Sequence, residues 1–240
     1  MYLDDPALPI RDRTGYQVYD CKPIDEWHCG IDIGQANDSS AFAAINYKRI
    51  PGGNWDVNDK ARTMRQTFTE RFELRFLQRL PLRMPYPEQV GRVAQWLGRP
   101  PLDKAKFGLD YVSVGRPVAD LFTRALRGRT VHRVLTTSGN EVTKHGASEW
   151  HVPKIVLVSQ LESRLHTGEF RIAKDLAESE ALKGELQDFN RKVSESGRVT
   201  YDARSGSHDD MVFSICVALF LATGGRSATV TRSALSDILG

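Results

Sequence analysis

The sequence predicts an α/β domain built on a mixed five-stranded sheet, with a three-strand antiparallel meander, two parallel strands and helices on the faces. Three observations carry the prediction. Extended apolar stretches follow one another from Trp27 to Leu77 with short polar connections and no helical periodicity. Helical spacing begins only after them and then alternates with short apolar strands. A single carboxylate, Asp32, lies inside the first apolar run, and isolated acids recur at Asp110 and at Asp209–Asp210.

Taken in order, residues 1–25 are rich in Asp, Pro and Arg without periodicity and read as an arm or linker. Trp27–Ile33 is the first strand, Gly34 turns the chain, and Ala41–Tyr47 is the second strand. Pro51-Gly52-Gly53-Asn54 is a turn signal. Thr67–Leu77 alternates apolar and polar residues as a third strand, and Leu80–Pro87 is a proline-punctuated loop. Glu88–Leu97 has helical spacing and ends at Gly98. Lys106–Val112 is a short strand carrying Asp110. Pro117 suits a first helical turn, so Val118–Leu126 is a helix. Val131–Thr136 is the fifth strand, and Thr137–His151 is a polar loop able to move. Helices follow from Pro153 to Leu165 and over Ser179–Lys192, with extended pieces at Glu169–Ile172 and Arg198–Asp202. Ser207 caps a last helix from His208 to Ala222. Residues 26–222 form one domain, and 223–240 is a Gly/Ser/Thr-rich tail. The succession of three strands, helix, strand, helix, strand and helices resembles the ribonuclease-H-like fold.

Composition narrows the function classes. An apolar fraction of 40% supports a buried core, and a net charge of only +3 over 240 residues does not announce a nucleic-acid binder by itself. Arginines recur through 62–83 and 124–133, either as a flank for phosphates or as an ordinary solvated face. Cys21, Cys29 and Cys216 lack zinc spacing and read as reduced thiols. The longest apolar run, Met211–Ala222, is too short to span a bilayer, so a soluble intracellular protein is expected. No phosphate-binding G-x-x-x-x-G-K-[ST] loop occurs, which argues against a P-loop ATPase.

The acids point to metal chemistry. A charge inside a strand is costly unless compensated. In the expected topology the strands bearing Asp32 and Asp110 lie side by side, and the last helix brings Asp209 and Asp210 to the same edge. Carboxylates gathered this way repel one another and call for cations. Hard oxygen ligands select Mg²⁺ or Mn²⁺, and two such ions can clamp the attacking and leaving oxygens of a phosphodiester. Each acid also has a structural reading: Asp32 and Asp110 as strand-end residues, and Asp209–Asp210 as partners of the helix dipole and cap. His208 is read as a ligand, a proton shuttle or a polar neighbour. Asp38 is a loop residue.

Four segments then resemble a known family, the C-terminal nuclease domain of phage large terminase subunits. They are GIDIGQANDSSAFAAI (30–45), LQRLPLRMPYPEQVGRVAQWL (77–97), FGLDYVSVGRPVADLF (107–122), and VPKIVLVSQLESRLHTGEFRIA (152–173) leading to SHDDMVFSICVAL (207–219). The resemblance implies a metal-dependent endonuclease that cuts concatemeric double-stranded DNA. Its acidic positions fall on Asp32, Asp110 and the Asp209–Asp210 pair, with Asp210 preferred, and two Mg²⁺ or Mn²⁺ ions are implied as cofactors. Arg116 and Lys154 are candidate contacts to the DNA backbone. Implied partners are a terminase ATPase domain or subunit, the small terminase subunit and the portal, in the host cytoplasm and away from any membrane. One departure is Ser113, where related sequences often carry a glycine. Rival readings are a non-catalytic docking module of the same fold, a junction resolvase, and an actin-like ATPase or phosphotransferase, for which Asp32-Ile33-Gly34 is the shared feature.

Overall fold

Strand-forming residues alternate with Gly-, Asn- and Asp-containing turns in the first third of the chain, and they build a continuous set of neighbouring strands. The computed structural model describes residues 10–12, 14–34, 38–112, 114–193, 199–203 and 209–224. Two short strands, β1 (Ile10–Arg11) and β2 (Gln17–Tyr19), precede β3 (Ile24–Asp32), β4 (Ala41–Asn58) and β5 (Thr63–Arg79). In the sheet β3, β4 and β5 are neighbours, and their connections are too short for a parallel crossover, so they form the expected meander.

Helix α1 (Tyr86–Leu97) then leads to β6 (Lys106–Asp110), α2 (Gly115–Ala125) and β7 (Val131–Thr137). Strand β6 pairs parallel with β3 and β7 pairs parallel with β6, with α1 and α2 lying in the connections. The five expected strands are thus present in the expected order, within a larger sheet.

The additions come from segments that sequence reasoning left irregular. The stretch expected as a mobile loop contains β8 (Thr143–His145) and β9 (Glu149–Pro153), an antiparallel hairpin whose second strand pairs parallel with β7. Its polar character suits a sheet margin, since β8 is the last strand. Trp150 nevertheless packs edge-on against Phe220 at 5.5 Å. After α3 (Lys154–Thr167), β10 (Phe170–Ile172) pairs parallel with β5. Helix α4 (Ser179–Asp188) stops earlier than its sequence period suggests, because β11 (Phe189–Val193) pairs antiparallel with β12 (Val199–Ala203). Phe189, Val193, Val199 and Tyr201 are strand-favouring types, and this pairing outweighs helix propensity. Helix α5 (Asp210–Ala222) closes the described fold. Ser113, Ser207, His208 and nearly all of the 223–240 tail lie outside the described residues.

Two compact units emerge, one from Met1–Asp25 with Tyr47–Arg71, the other from Glu26–Asn46 with Phe72–Gly240. In the smaller unit β2 pairs parallel with β5, and Arg65 lies over the Tyr19 ring at 4.2 Å. The turn expected at Pro51–Asn54 is absent, and β4 runs through it. A Cβ at Gly52 would come within 2.5 Å of the Thr67 hydroxyl oxygen, so the glycine there serves a close strand approach.

In the larger unit the sheet has two different faces. Cys29, Ile31, Phe107 and Leu109 point to one side and pack with Val90, Val93 and Leu97 of α1 and Val118, Ala119 and Phe122 of α2. The opposite face is kept open at the centre by Gly30 and Gly108, which are register partners on β3 and β6. Helix α5 fills that gap. A Cβ on Gly30 would sit 2.2 Å from the Ser214 carbonyl oxygen, and one on Gly108 would sit 2.8 Å from Leu221 Cδ1. All thirteen residues of α5 are buried, as expected of a helix apolar on every side.

Candidate metal centre

The same register that pairs Gly30 with Gly108 pairs Asp32 with Asp110 at the carboxyl ends of β3 and β6. Because side chains alternate along a strand, both acids share the face covered by α5. Helix α5 begins with Asp210, and Asp209 is its N-cap residue. The close approach at the two glycines therefore sets the helix start over the two strand ends. Asp110 and Asp210 are buried, while Asp32 and Asp209 keep partial exposure.

The electrostatics record this convergence. Burial, followed by the neighbouring carboxylates of Asp110, Asp210 and Asp209, pushes Asp32 well above the ordinary carboxylate range, and Lys154 pulls against them. Asp110 is also raised by burial. Opposing that shift, its Oδ2 accepts a 2.6 Å hydrogen bond from the Thr136 hydroxyl and its Oδ1 accepts one of 3.0 Å from the Val112 N–H. These two donors fix the carboxylate plane while leaving a lone pair on each oxygen for another partner.

Lys154, the first residue of α3, sits at the same edge, its Nζ 3.6 Å from Asp209 Oδ2. It also lies 4.6 Å from the Phe213 ring centroid. Among the described residues, no three carboxylate, imidazole or thiol groups already converge at ligand distance around one point. The four carboxylates carry more negative charge than the one ammonium of Lys154 offsets, a surplus that a bound cation would relieve. The donor set, all oxygen and all anionic, suits Mg²⁺ or Mn²⁺ rather than a softer metal.

Arg116 stands exposed in the first turn of α2, and its charge bears on Tyr111, next to Asp110. Asp38 is exposed in the connection after β3.

Sequence reasoning missed three parts of the surroundings. Thr136 was read only as a strand residue. The glycine pair was not recognised as the seat of α5, although two glycines central to adjacent apolar strands are a legible sign of close approach. Glu185 of α4 was not singled out. Its buried carboxylate accepts hydrogen bonds from the N–H groups of Met211 (3.1 Å) and Val212 (3.2 Å), capping α5 from another helix, and forms an ion pair with Arg79. Burial pushes Glu185 up to about 7, against the pull of Arg79.

No protein-family model and no curated protein matches the sequence. Solved structures do match the fold. The large terminase nuclease of thermophilic phage G20c superposes with a TM-score of 0.52 at 19% identity, covering 88% of this chain and 90% of that one. The same nuclease with bound magnesium gives 0.53 at 21% identity over the same shares. The large terminase nuclease domain of Thermus phage P74-26 gives 0.50 at 19%, covering 88% and 87%. The architecture is therefore the ribonuclease-H-like one. More narrowly, it is the form that the nuclease domains of phage large terminases adopt.

Proposed function

We propose that this chain is a metal-dependent endonuclease that cuts double-stranded DNA in a viral genome-packaging system. The observation that carries the reading is the in-register pair Asp32–Asp110 with Asp210 set over it by α5. The solved nuclease of similar fold that binds magnesium supports the choice of metal.

In this reading Asp32, Asp110 and Asp210 hold two Mg²⁺ or Mn²⁺ ions, with Asp209 as an auxiliary ligand. When bound, such a pair supplies an activated water and stabilises the departing 3′ oxygen. The remaining work falls to the chain itself. Thr136 and the Val112 N–H keep Asp110 in one orientation. Asp210 stands in the first turn of α5, whose positive end adds to the pull on anions at this edge. Lys154 restrains Asp209 and offers positive charge to a phosphate oxygen, and exposed Arg116 approaches the DNA backbone from α2. Contacts of this kind position a duplex without reading its bases. The ATPase domain or subunit, the small terminase subunit, the portal and a place in the host cytoplasm belong to the same reading. No helix among the described residues is long and apolar enough to cross a membrane.

The test is cleavage of supercoiled plasmid with Mg²⁺, Mn²⁺ or EDTA, comparing the native chain with Asp32→Asn. Metal-dependent nicking and linearisation lost in the variant is the expected result. Equal cutting by both proteins contradicts the assignment. No cutting by the native chain with either metal favours the docking module.

A further inference from the structure

The chain leaves β5 at the carboxylate end of the sheet, because β5 runs back alongside β4, whose first residues follow the turn after Asp32. The Leu80 N–H donates to the Ser40 carbonyl at 2.7 Å, joining that exit to the start of β4. Residues 81–84 then form a tight turn, closed by the Met84 N–H donating to the Pro81 carbonyl at 3.2 Å. Its third residue, Arg83, has φ +63°, while Leu82 before it has no positive φ, as in a type II turn. That position ordinarily takes glycine, because a side chain there strains the backbone. This chain places an exposed arginine there, beside a leucine that is 50% exposed.

The turn and the strand end that feeds it are linked to both carboxylate-bearing elements. On one side, buried Gln89 donates from Nε2 to the Met84 carbonyl (2.8 Å) and accepts from the Ser40 hydroxyl (2.8 Å). That hydroxyl accepts the Gly34 N–H at 3.1 Å, two residues beyond Asp32. On the other side, Arg79 pairs with Glu185, which caps the helix begun by Asp210. The strained, exposed Leu–Arg tip is therefore tied through buried Gln89 to the connection after Asp32, and it follows directly on a strand end that is itself paired to the cap of α5. No hydrogen bond or ion pair among the described residues engages the Arg83 guanidinium.

Resting on the nuclease reading, we infer that the Leu82–Arg83 turn is a grip for duplex DNA flanking the bond to be cut. Arg83 takes a backbone phosphate, and Leu82 packs against the sugar edge of the groove beside it. Charge and apolar surface side by side fit a duplex backbone, and the rigid tethers fix the distance between this contact and the carboxylates.

The experiment measures binding of a fluorescent 30-base-pair duplex across a salt series, in calcium buffer, by anisotropy, for the native chain, Arg83→Gln, Arg83→Gly and Leu82→Ser. Arg83→Gln is expected to weaken binding several-fold and to reduce the steepness of log K against log salt by about one. Arg83→Gly relieves the left-handed backbone, so its melting temperature holds or rises, yet it loses the same affinity and the same slope. A purely structural Arg83 would give the opposite for that variant, namely retained binding. Leu82→Ser is expected to weaken binding without altering the slope. If both Arg83 variants bind with native affinity and slope, the grip is wrong and the nuclease reading stands. If the native chain does not bind duplex at all, both fall.

Discussion

Substituting Gly30 by alanine probes how the fold makes the site. The new Cβ would lie 2.2 Å from the Ser214 carbonyl oxygen and 2.6 Å from the Ala218 nitrogen, both backbone atoms of α5 that cannot rotate away. Ordinary contact begins near 3.4 Å, so α5 must retreat by about 1.2 Å (3.4 − 2.2) along that direction. Overpacking of this kind costs about 1–3 kcal/mol, partly offset by the ~0.4–1 kcal/mol that Gly→Ala gains through the unfolded chain. For a chain of this size each kcal/mol is worth roughly 2–4 °C in Tm. The same retreat carries Asp210 away from Asp32 and Asp110, so affinity for Mn²⁺ falls with stability. Thermal unfolding followed by circular dichroism and calorimetric Mn²⁺ titration read the two effects. Gly53→Ala is the control, because a Cβ there meets nothing within 4 Å. A Gly30→Ala protein with native Tm and native Mn²⁺ affinity refutes the idea that α5 is seated by the glycine pair.

Three further outcomes are expected. Thr136→Val removes the 2.6 Å bond that orients Asp110 and should lower Mn²⁺ affinity by about tenfold or more in the same titration, with little change in fold. Glu185→Gln leaves Arg79 without its anionic partner and weakens the cap on α5. Because Arg79 is 27% exposed and burial already disfavours the Glu185 charge, the expected loss is only that of a weakened cap, about 1 kcal/mol, readable by urea unfolding, and native stability in that variant would contradict the capping role. Burial lowers the pKa of His28 from 6.5 to about 4, with Lys106 adding to the shift. The unfolded chain takes up a proton as pH falls through 6.5 while the folded one resists until about 4, so stability drops by about 2 kcal/mol between about pH 7.5 and 5. His28→Gln should flatten that dependence, and an unchanged pH profile in the variant would remove His28 as its source.

Much of the architecture was legible because its elements obey local rules. Thr67–Leu77 alternates cleanly, Glu88–Leu97 has one apolar stripe and a glycine stop, and each matches an observed element to within a few residues. Asp32 and Asp110 stood out because a carboxylate is out of place in an apolar strand. Their pairing followed from topology alone, since adjacent parallel strands align their carboxyl ends. The hairpin of β8 and β9 stayed hidden because β8, the edge strand, is exposed along its whole length and carries no apolar alternation, and Trp150 and Val152 of β9 are the sole strong signals. Pro51–Asn54 misled because glycine serves both turns and close strand approach. The capping of α5 by Glu185 is a tertiary contact between residues 26 positions apart, which no local pattern encodes.

The most direct measurement is calorimetric titration of Mn²⁺ into the native chain and into Asp32→Asn, Asp110→Asn and Asp210→Asn, each checked for native fold by circular dichroism. Saturable binding to the native chain, lost or strongly weakened in every one of the three folded variants, is the predicted result. Equal Mn²⁺ binding by all four proteins would show that the carboxylates brought together by β3, β6 and α5 do not form the metal centre.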